Sequence, residues 1–189
     1  MPRDALEPGE RYNPLFIYGA SGLGKTHLLR AIQNEVRRVH PTLVVRYMTA
    51  QEFSEEFVAA LQHGRIQPWR SKTRAVHVWL LDDIQFIAKR DKTQEEVFHA
   101  FNDLHRDGRQ IVIAADRPPR ALYEMDERMR SRFEGGLLAD VMPPETDTRI
   151  RILQAIALRE GVECPPEVTE WVATHVPANV RSLIGALNR

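Results

Sequence analysis

Cysteine is almost missing from this sequence: Cys164 is the one thiol among 189 residues. A single thiol cannot form an internal disulfide, and the prolines at 165 and 166 leave it without a neighbour that would indicate a catalytic nucleophile. The seven histidines show no metal-ligand spacing. These absences argue against a disulfide-stapled domain and against a cysteine–histidine metal centre.

Long apolar runs and an excess of one charge are missing too. No run approaches the ~20 apolar residues that a membrane helix needs, and the N-terminus does not begin a signal peptide, so we expect a cytoplasmic protein without a transmembrane segment. The 26 basic residues balance the 26 acidic ones, so attraction to nucleic acid would have to come from local patches. A composition of 43% hydrophobic and 28% charged residues is typical of a folded globular domain.

What the sequence does contain is a phosphate-binding motif. Residues 19–26, GASGLGKT, match G-x-x-x-x-G-K-[ST] between a strand-like segment and a segment with helical periodicity. In this motif glycines let backbone N–H groups approach a polyphosphate, lysine reaches the β- and γ-phosphates, and threonine offers a hydroxyl to Mg²⁺. The residues assigned to nucleotide binding are Gly19, Gly22, Gly24, Lys25 and Thr26.

A pair of carboxylates follows an apolar, strand-like segment at residues 76–81. Nucleotide hydrolases with such a loop use a strand-end aspartate to hold Mg²⁺, and we assign this role to Asp82 together with Thr26. Asp83 stands where a carboxylate could orient or deprotonate the attacking water. Alternatively, the pair could form a plain turn or a helix N-terminus.

The order of the predicted segments favours an α/β fold. Five strand-like segments alternate with helix-like ones, which predicts a three-layer core around a parallel five-stranded sheet. Past residue 143 only helical patterns remain, which predicts a small all-helical lid. The expected organisation is a flexible lead-in at residues 1–12, a nucleotide-binding α/β core at 13–143, and the lid at 144–189.

Two capping boxes predict where helices begin. Thr49 with Glu52, and Thr93 with Glu96, have the spacing at which a threonine side chain and a glutamate side chain cap each other's backbone. We therefore predict one helix from Thr49 to Gln62 and another that starts at Thr93.

Six segments, in matching order, resemble the AAA+ ATPase module of the bacterial DnaA replication initiators. They are residues 13–26 (NPLFIYGASGLGKT), 80–86 (LLDDIQF), 93–102 (TQEEVFHAFN), 116–119 (DRPP), 130–133 (RSRF) and 179–187 (NVRSLIGAL). The resemblance covers nearly everything after residue 12 and implies an AAA+ P-loop NTPase that binds ATP and Mg²⁺. The same module occurs in DnaA-derived regulators and, less closely, in helicase loaders.

The resemblance also implies roles for residues of the ATP site. Asp116 matches sensor 1, a polar group near the γ-phosphate, and Arg181 matches sensor 2, through which the lid responds to nucleotide. Arg132 matches the arginine finger, which reaches the ATP site of the neighbouring subunit, and Arg128 matches another basic position of that box. Because such a finger stabilises charge in phosphoryl transfer, the resemblance implies an ATP-dependent, head-to-tail homo-oligomer with slow, regulatory hydrolysis.

Single-stranded origin DNA is the second ligand that the resemblance implies. Val58, Arg90 and Lys92 match elements that hold the strand in the family's filament, where cations meet phosphates and an apolar group meets sugar or base. The implied further partners are the replicative helicase and acidic phospholipids, and the implied location is the nucleoid. A second candidate patch is basic and contains tryptophan: Arg65, Trp69, Arg70 and Lys72.

The sequence departs from the family pattern in several places. The family's adenine-pocket stretch and upstream interaction domain are not found before Asn13, and the chain stops at Arg189, before the helix-turn-helix domain that binds origin boxes. We therefore expect altered adenine contact and no sequence-specific duplex binding by this polypeptide. Ser182 and Ile184 replace residues that are usually acidic, which puts the family's lid response in question.

Three functions are compatible with the sequence. The first is an initiator of the DnaA type, whole or partial. The second is a DnaA-like regulator or helicase loader without origin-reading function, although residues 1–10 lack the Gln-Leu-rich clamp-binding segment of such regulators. The third is a nucleotide-binding remnant that does not hydrolyse ATP.

Overall fold

The computed structural model describes Gly9, residues 12–176 and residues 179–187, with the backbone alone for Leu187. The predicted lead-in at residues 1–12 therefore lies outside the described residues except for Gly9 and Tyr12. Within the predicted lid, residues 177–178 and 188–189 also lie outside them.

A five-stranded parallel sheet forms the centre of the fold. The strands are β1 (Leu15–Tyr18), β2 (Val45–Thr49), β3 (Val78–Asp82), β4 (Gln110–Ala115) and β5 (Leu137–Asp140). All neighbouring strands run parallel, in the order β2-β3-β4-β1-β5, and the predicted α/β fold with a parallel five-stranded sheet is confirmed. The parallel register brings the carboxyl ends of β3 and β4 to one edge of the sheet, where Asp82 ends β3, Asp83 follows it and Asp116 follows β4.

Eight helices connect and follow the strands in the described part of the chain. The helices are α1 (Lys25–Val39), α2 (Ala50–Gln62), α3 (Ile66–Arg74), α4 (Asp91–Arg106), α5 (Glu127–Glu134), α6 (Thr146–Glu160), α7 (Pro166–His175) and α8 (Val180–Leu187). Two short 3₁₀ turns, Ile84–Ile87 and Pro119–Ala121, follow β3 and β4. Within residues 9, 12–176 and 179–187, no helix is both long and apolar enough to cross a membrane.

Strand β3 is buried at all five positions. A central strand with helices on both faces of its sheet must be apolar on both sides, which explains the continuous apolar run that precedes Asp82. On one face Trp79 packs against Phe53 of α2, with the ring centroids 5.7 Å apart. On the other face the sheet meets α1, which packs against β2, β3 and β4.

The chain divides into two compact units. The first contains the described residues up to Tyr18 together with Lys25–Asp140, and the second contains Gly19–Gly24 and the described residues from Val141 onward. The second unit is built on α6, α7 and α8 around a core of Leu153, Val172, Ala173 and Leu183. The predicted all-helical region after the sheet is confirmed, while the boundaries at residues 12 and 143 stay predictions.

One of the two predicted capping boxes is confirmed. The Thr49 hydroxyl accepts a hydrogen bond from the Glu52 backbone N–H at 3.1 Å, and the Glu52 carboxylate accepts one from the Thr49 N–H at 2.7 Å. Helix α2 then runs to Gln62, as predicted.

The second predicted helix start is wrong. Helix α4 begins at Asp91, and Arg90 precedes it without a side-chain cap. Thr93 lies inside the helix with its side chain buried, and its hydroxyl is 3.2 Å from that of Ser54 on α2. A tertiary contact therefore uses the hydroxyl that the sequence pattern assigned to a cap.

Candidate functional site

Asp82, at the end of β3, is 1% exposed and receives three hydrogen bonds. Its Oδ2 accepts from the Thr26 hydroxyl at 2.7 Å and from the Tyr47 hydroxyl at 2.9 Å, and its Oδ1 accepts from the Asp83 backbone N–H at 3.0 Å. The structure thus brings together the two residues that the sequence assigned to Mg²⁺, Thr26 and Asp82.

The donor set at this point fits Mg²⁺. Magnesium prefers oxygen ligands and usually keeps several waters, binding through one or two protein groups plus substrate phosphates. The Thr26 hydroxyl and the Asp82 carboxylate supply two such oxygens side by side. Among the described residues, no group of three or more His, Cys, Asp or Glu side chains could hold a metal ion, so the fit depends on few protein ligands.

Tyr47 belongs to this site, although sequence analysis did not assign it. Burial and, after it, the hydrogen bond to Asp82 raise the pKa of the Tyr47 phenol above its ordinary value, so the hydroxyl keeps its proton and donates. The Arg30 guanidinium lies 3.4 Å from the centroid of the Tyr47 ring. Side-chain alternation along β2 places Tyr47 and Thr49 on one face, but it does not show which strand pairs with β2.

Asp83 adopts a left-handed backbone conformation, with φ 54° and ψ 50°. Aspartate tolerates this region better than most residues, and here it begins the 3₁₀ turn Ile84–Ile87. Its side chain makes no capping hydrogen bond to that turn; instead Oδ1 accepts from Gln85 Nε2 at 3.0 Å. The Gln85 Oε1 in turn accepts from the Asp116 backbone N–H at 3.3 Å, so one amide links the ends of β3 and β4.

Asp116 is held by its sequence neighbour. Arg117 Nε and Nη2 each donate to one carboxylate oxygen of Asp116 at 2.8 Å. Arg117, and to a lesser extent Lys25, holds the pKa of the Asp116 carboxyl below its usual range. Lys25 is 6% exposed and within electrostatic reach of Asp116, so two residues predicted for the ATP site influence each other here.

The phosphate loop contacts the start of α8 within the second unit. Asn179 Nδ2 donates to the Ser21 carbonyl at 3.2 Å, and Asn179 Oδ1 accepts from the Arg181 backbone N–H at 2.9 Å. Gly22 has φ +83°, and a Cβ built there would lie 2.2 Å from Asn179 Oδ1. Arg181, the sensor 2 match, therefore lies in the helical turn that touches the loop; Asn179 was not assigned from sequence.

The three predicted DNA-contact residues line one groove of about 510 Å³. Val58 on α2 is 43% exposed there, and Lys92 is exposed and forms no ion pair with any residue that the structure describes. Arg90 Nη1 donates to Ser54 Oγ at 2.9 Å, and Ser54 Oγ lies 3.2 Å from Thr93 Oγ1. Ser54 and Thr93 were missed, because their role depends on the tertiary approach of Ser54 on α2 to the first turn of α4.

Two residues of the tryptophan-containing basic segment make contacts within the fold. Trp69 on α3 packs against Phe53 at a ring-centroid distance of 5.1 Å and donates to Glu56 at 2.9 Å. Arg70 makes a two-point bond to Glu96, at 2.8 and 2.6 Å. Packing thus engages the Trp69 indole and a carboxylate pairs with the Arg70 guanidinium, while Arg65 and Lys72 are exposed. This second candidate patch stays a prediction.

Two arginines of α5 have different environments. Arg128 bonds to Asp126 through Nε at 3.1 Å and Nη2 at 2.9 Å, and its guanidinium lies 5.1 Å from the Phe98 ring centroid. Arg132 is exposed and makes no ion pair or hydrogen bond through its side chain with any described residue. The guanidinium of Arg132 is therefore open to a group on another molecule.

Known proteins match this chain along most of its length. The family model described as the bacterial DnaA ATPase domain matches residues 3–140. The chromosomal replication initiator protein DnaA of Thermomicrobium roseum is 50% identical over 185 residues, which are 98% of this chain and 40% of that protein. The chain thus spans about two fifths of the length of this relative.

Solved structures of DnaA proteins also match this chain. The crystal structure of domain III of the Thermotoga maritima replication initiation protein DnaA matches with a TM-score of 0.92 and 44% identity, over 96% of this chain and 76% of that one. A replication initiator DnaA bound to AMPPCP and single-stranded DNA matches with a TM-score of 0.88 and 37% identity, over 98% of this chain and 57% of that one.

Proposed function

We propose a function from the premise that this chain belongs to the bacterial DnaA ATPase domain family. In this proposal it is the ATP-binding, slowly hydrolysing AAA+ module of a DnaA-type initiator of chromosomal replication. The observation that carries the proposal is the 2.7 Å bond between Thr26 and Asp82, which joins the threonine of the phosphate motif to a strand-end carboxylate.

The phosphates would be bound by the loop glycines and Lys25, with backbone N–H groups and the ammonium facing the anion. Thr26 and Asp82 would hold Mg²⁺, which when bound neutralises charge on the β- and γ-phosphates. Lys25 sits in the first turn of α1, where the helix dipole also favours an anion.

Hydrolysis needs a group that orients water, and Asp83 is proposed for that role. The amide of Gln85 fixes one oxygen of this carboxylate and leaves the other to accept from water. Asp116 and Arg181 are proposed as the sensor residues of the same subunit. The charge of Lys25 acting on Asp116, and the contact of the Arg181 turn with the loop, support these assignments.

Assembly is proposed to be head to tail and ATP-dependent, with Arg132 acting in trans. A charged guanidinium without a described partner, on the exposed side of α5, can approach a triphosphate on a second copy. Such a group stabilises the charge that develops in phosphoryl transfer.

Single-stranded DNA is the proposed second ligand, bound in the groove lined by Val58, Arg90 and Lys92. Two cations beside an exposed apolar side chain match the chemistry of a single strand, whose phosphates are anionic and whose bases and sugars offer apolar faces. Ser54 holds Arg90 in place within the groove. The strand-bound DnaA structure at 37% identity supports this assignment by analogy.

Family membership alone supports three further proposals. The replicative helicase and acidic phospholipids are proposed partners, and a location at the nucleoid follows from action on origin DNA.

A regulator that acts on a separate initiator is the alternative, and it predicts ATP binding without binding of single-stranded DNA.

Turnover distinguishes an ATPase from a non-hydrolysing remnant. Asp83→Asn removes the carboxylate that is proposed to orient water, so steady-state phosphate release should fall about a hundredfold while fluorescent ATP still binds. Asp107→Asn, at an exposed helix end, is the matched control and should leave turnover unchanged. Wild-type protein that binds ATP but releases no phosphate above the Asp83→Asn level would favour the remnant.

The groove is tested by the salt dependence of DNA binding. The double variant Arg90→Ala, Lys92→Ala should weaken ATP-dependent binding of a labelled oligonucleotide, because it removes two cations that would contact phosphates. Each lost phosphate contact should make the slope of log affinity against log salt concentration less steep by about 0.7. Fluorescence anisotropy at several salt concentrations gives this slope. Arg38→Ala, at an exposed arginine on α1 paired with Glu35, is the control. An unchanged slope in the double variant would remove these residues from the DNA site.

A further inference from the structure

The phenol of Tyr47 contacts the carboxylate that is proposed to hold Mg²⁺. Its hydroxyl donates to Asp82 Oδ2 at 2.9 Å, and the Thr26 hydroxyl donates to the same oxygen at 2.7 Å. The other carboxylate oxygen accepts from the Asp83 N–H at 3.0 Å. Side-chain and backbone donors therefore reach both ends of one buried carboxylate.

These donors matter because an aspartate carboxylate has no strong rotational preference of its own. The terminal torsion of aspartate is broad and nearly two-fold, so the plane of the Asp82 carboxylate is set by the groups that bond to it. A metal ligand needs a defined plane, and partners that orient metal ligands tune metal affinity. Loss of one donor from Oδ2 would leave the plane less defined.

Strand register and helix spacing place Tyr47 where its hydroxyl can bond to the Asp82 carboxylate. Tyr47 pairs with Leu80 and Thr49 pairs with Asp82, so alternation puts all four side chains on one face of the sheet. Helix α1 packs against β2 and β3.

Arg30 holds the Tyr47 ring from α1. Thr26 and Arg30 lie four residues apart on that helix and share a face, so the residue that covers the ring is one turn beyond the residue that bonds to Asp82. The Arg30 guanidinium is 3.4 Å from the ring centroid and also donates to Gln33 at 3.1 Å. The ring is thus held between a strand and a helix.

We infer that Tyr47 is a positioning residue for Mg²⁺ binding: its hydroxyl fixes the Asp82 carboxylate, and Arg30 fixes its ring. The inference rests on the proposed function, since it concerns the same nucleotide site. It predicts that Tyr47 affects the step that depends on the metal and not the binding of nucleotide without metal.

Tyr47→Phe tests this inference because it keeps the ring under Arg30 and removes the hydroxyl alone. Binding of a fluorescent ATP analogue is titrated against Mg²⁺, and again in EDTA. The half-saturating Mg²⁺ concentration should rise about tenfold, the lower range for partners of metal ligands, with affinity in EDTA unchanged. A purely structural role would instead lower the melting temperature and shift both titrations together.

Tyr123→Phe is the matched control, because it makes the same chemical change at a side chain that is 81% exposed. An unchanged Mg²⁺ titration in folded Tyr47→Phe overturns the inference and leaves the proposed function intact. Wild-type protein without Mg²⁺-dependent nucleotide binding overturns the proposed function itself.

Arg30→Met provides a second test if Tyr47→Phe does not fold. Removing a positive charge near the site should by electrostatics alone lower the half-saturating Mg²⁺ concentration, since like charges repel. Loss of the hold on the Tyr47 ring should raise it. A rise supports the inference, and a fall or no change contradicts it.

Discussion

Lys25→Ala should lower the affinity for ATP by about a thousandfold, which is the loss expected when one partner of a buried charge contact is truncated. Lys25 is 6% exposed at the start of α1, so water cannot readily replace its ammonium beside the phosphates. Equilibrium titration with a fluorescent ATP analogue measures the change directly.

Lys72→Ala serves as the comparison, because it removes an exposed lysine from α3. Circular dichroism of both variants verifies that they are folded. If folded Lys25→Ala binds ATP as the wild type does, the phosphate-loop assignment fails, and with it the proposed ATPase.

Arg132→Ala should lower the assembly-dependent rate of ATP hydrolysis about a thousandfold, while each protomer still binds ATP. Arginine fingers contribute about 10³–10⁵ to kcat, because they stabilise charge at the transition state. Phosphate release measured against protein concentration separates the assembled rate from that of the single protomer. Arg106→Ala, at an exposed and ion-paired arginine, should keep the wild-type dependence.

Mixing two inactive variants shows whether Arg132 acts in trans. Arg132→Ala retains its own phosphate loop, and Lys25→Ala retains the finger, so a head-to-tail pair of the two contains one complete site. Phosphate release should therefore return in the mixture, although neither variant is active alone. A mixture that stays inactive while co-assembling would place the action of Arg132 within its own subunit.

The parts of the site that could be predicted are those that short-range sequence determines. The phosphate motif at residues 19–26 and the strand-end Asp82 follow from local patterns, and the structure places Thr26 and Asp82 in contact. The five strands were predictable for the same reason, since apolar runs bounded by turn residues depend on neighbours in sequence.

The missed residues depend on how distant elements meet. Tyr47 reaches Asp82 only because β2 and β3 pair in one register, and Thr93 bonds to Ser54 only because the fold brings the first turn of α4 beside that residue of α2. Thr93 also shows how such a contact overrides a local signal, since its capping-box spacing predicted a helix start that the structure places at Asp91. A sequence pattern carries no information about which hydroxyl a tertiary neighbour will use.

The contact between Gly22 and Asn179 restricts position 22 of the phosphate loop. The general phosphate-loop pattern leaves this position open to any residue, but here its φ is +83° and a Cβ would lie 2.2 Å from Asn179 Oδ1. Another residue at position 22 would be strained by its backbone conformation and would displace the Asn179 side chain, which bonds to the Ser21 carbonyl and to the Arg181 backbone N–H. A substitution in the phosphate loop would therefore also alter the start of α8.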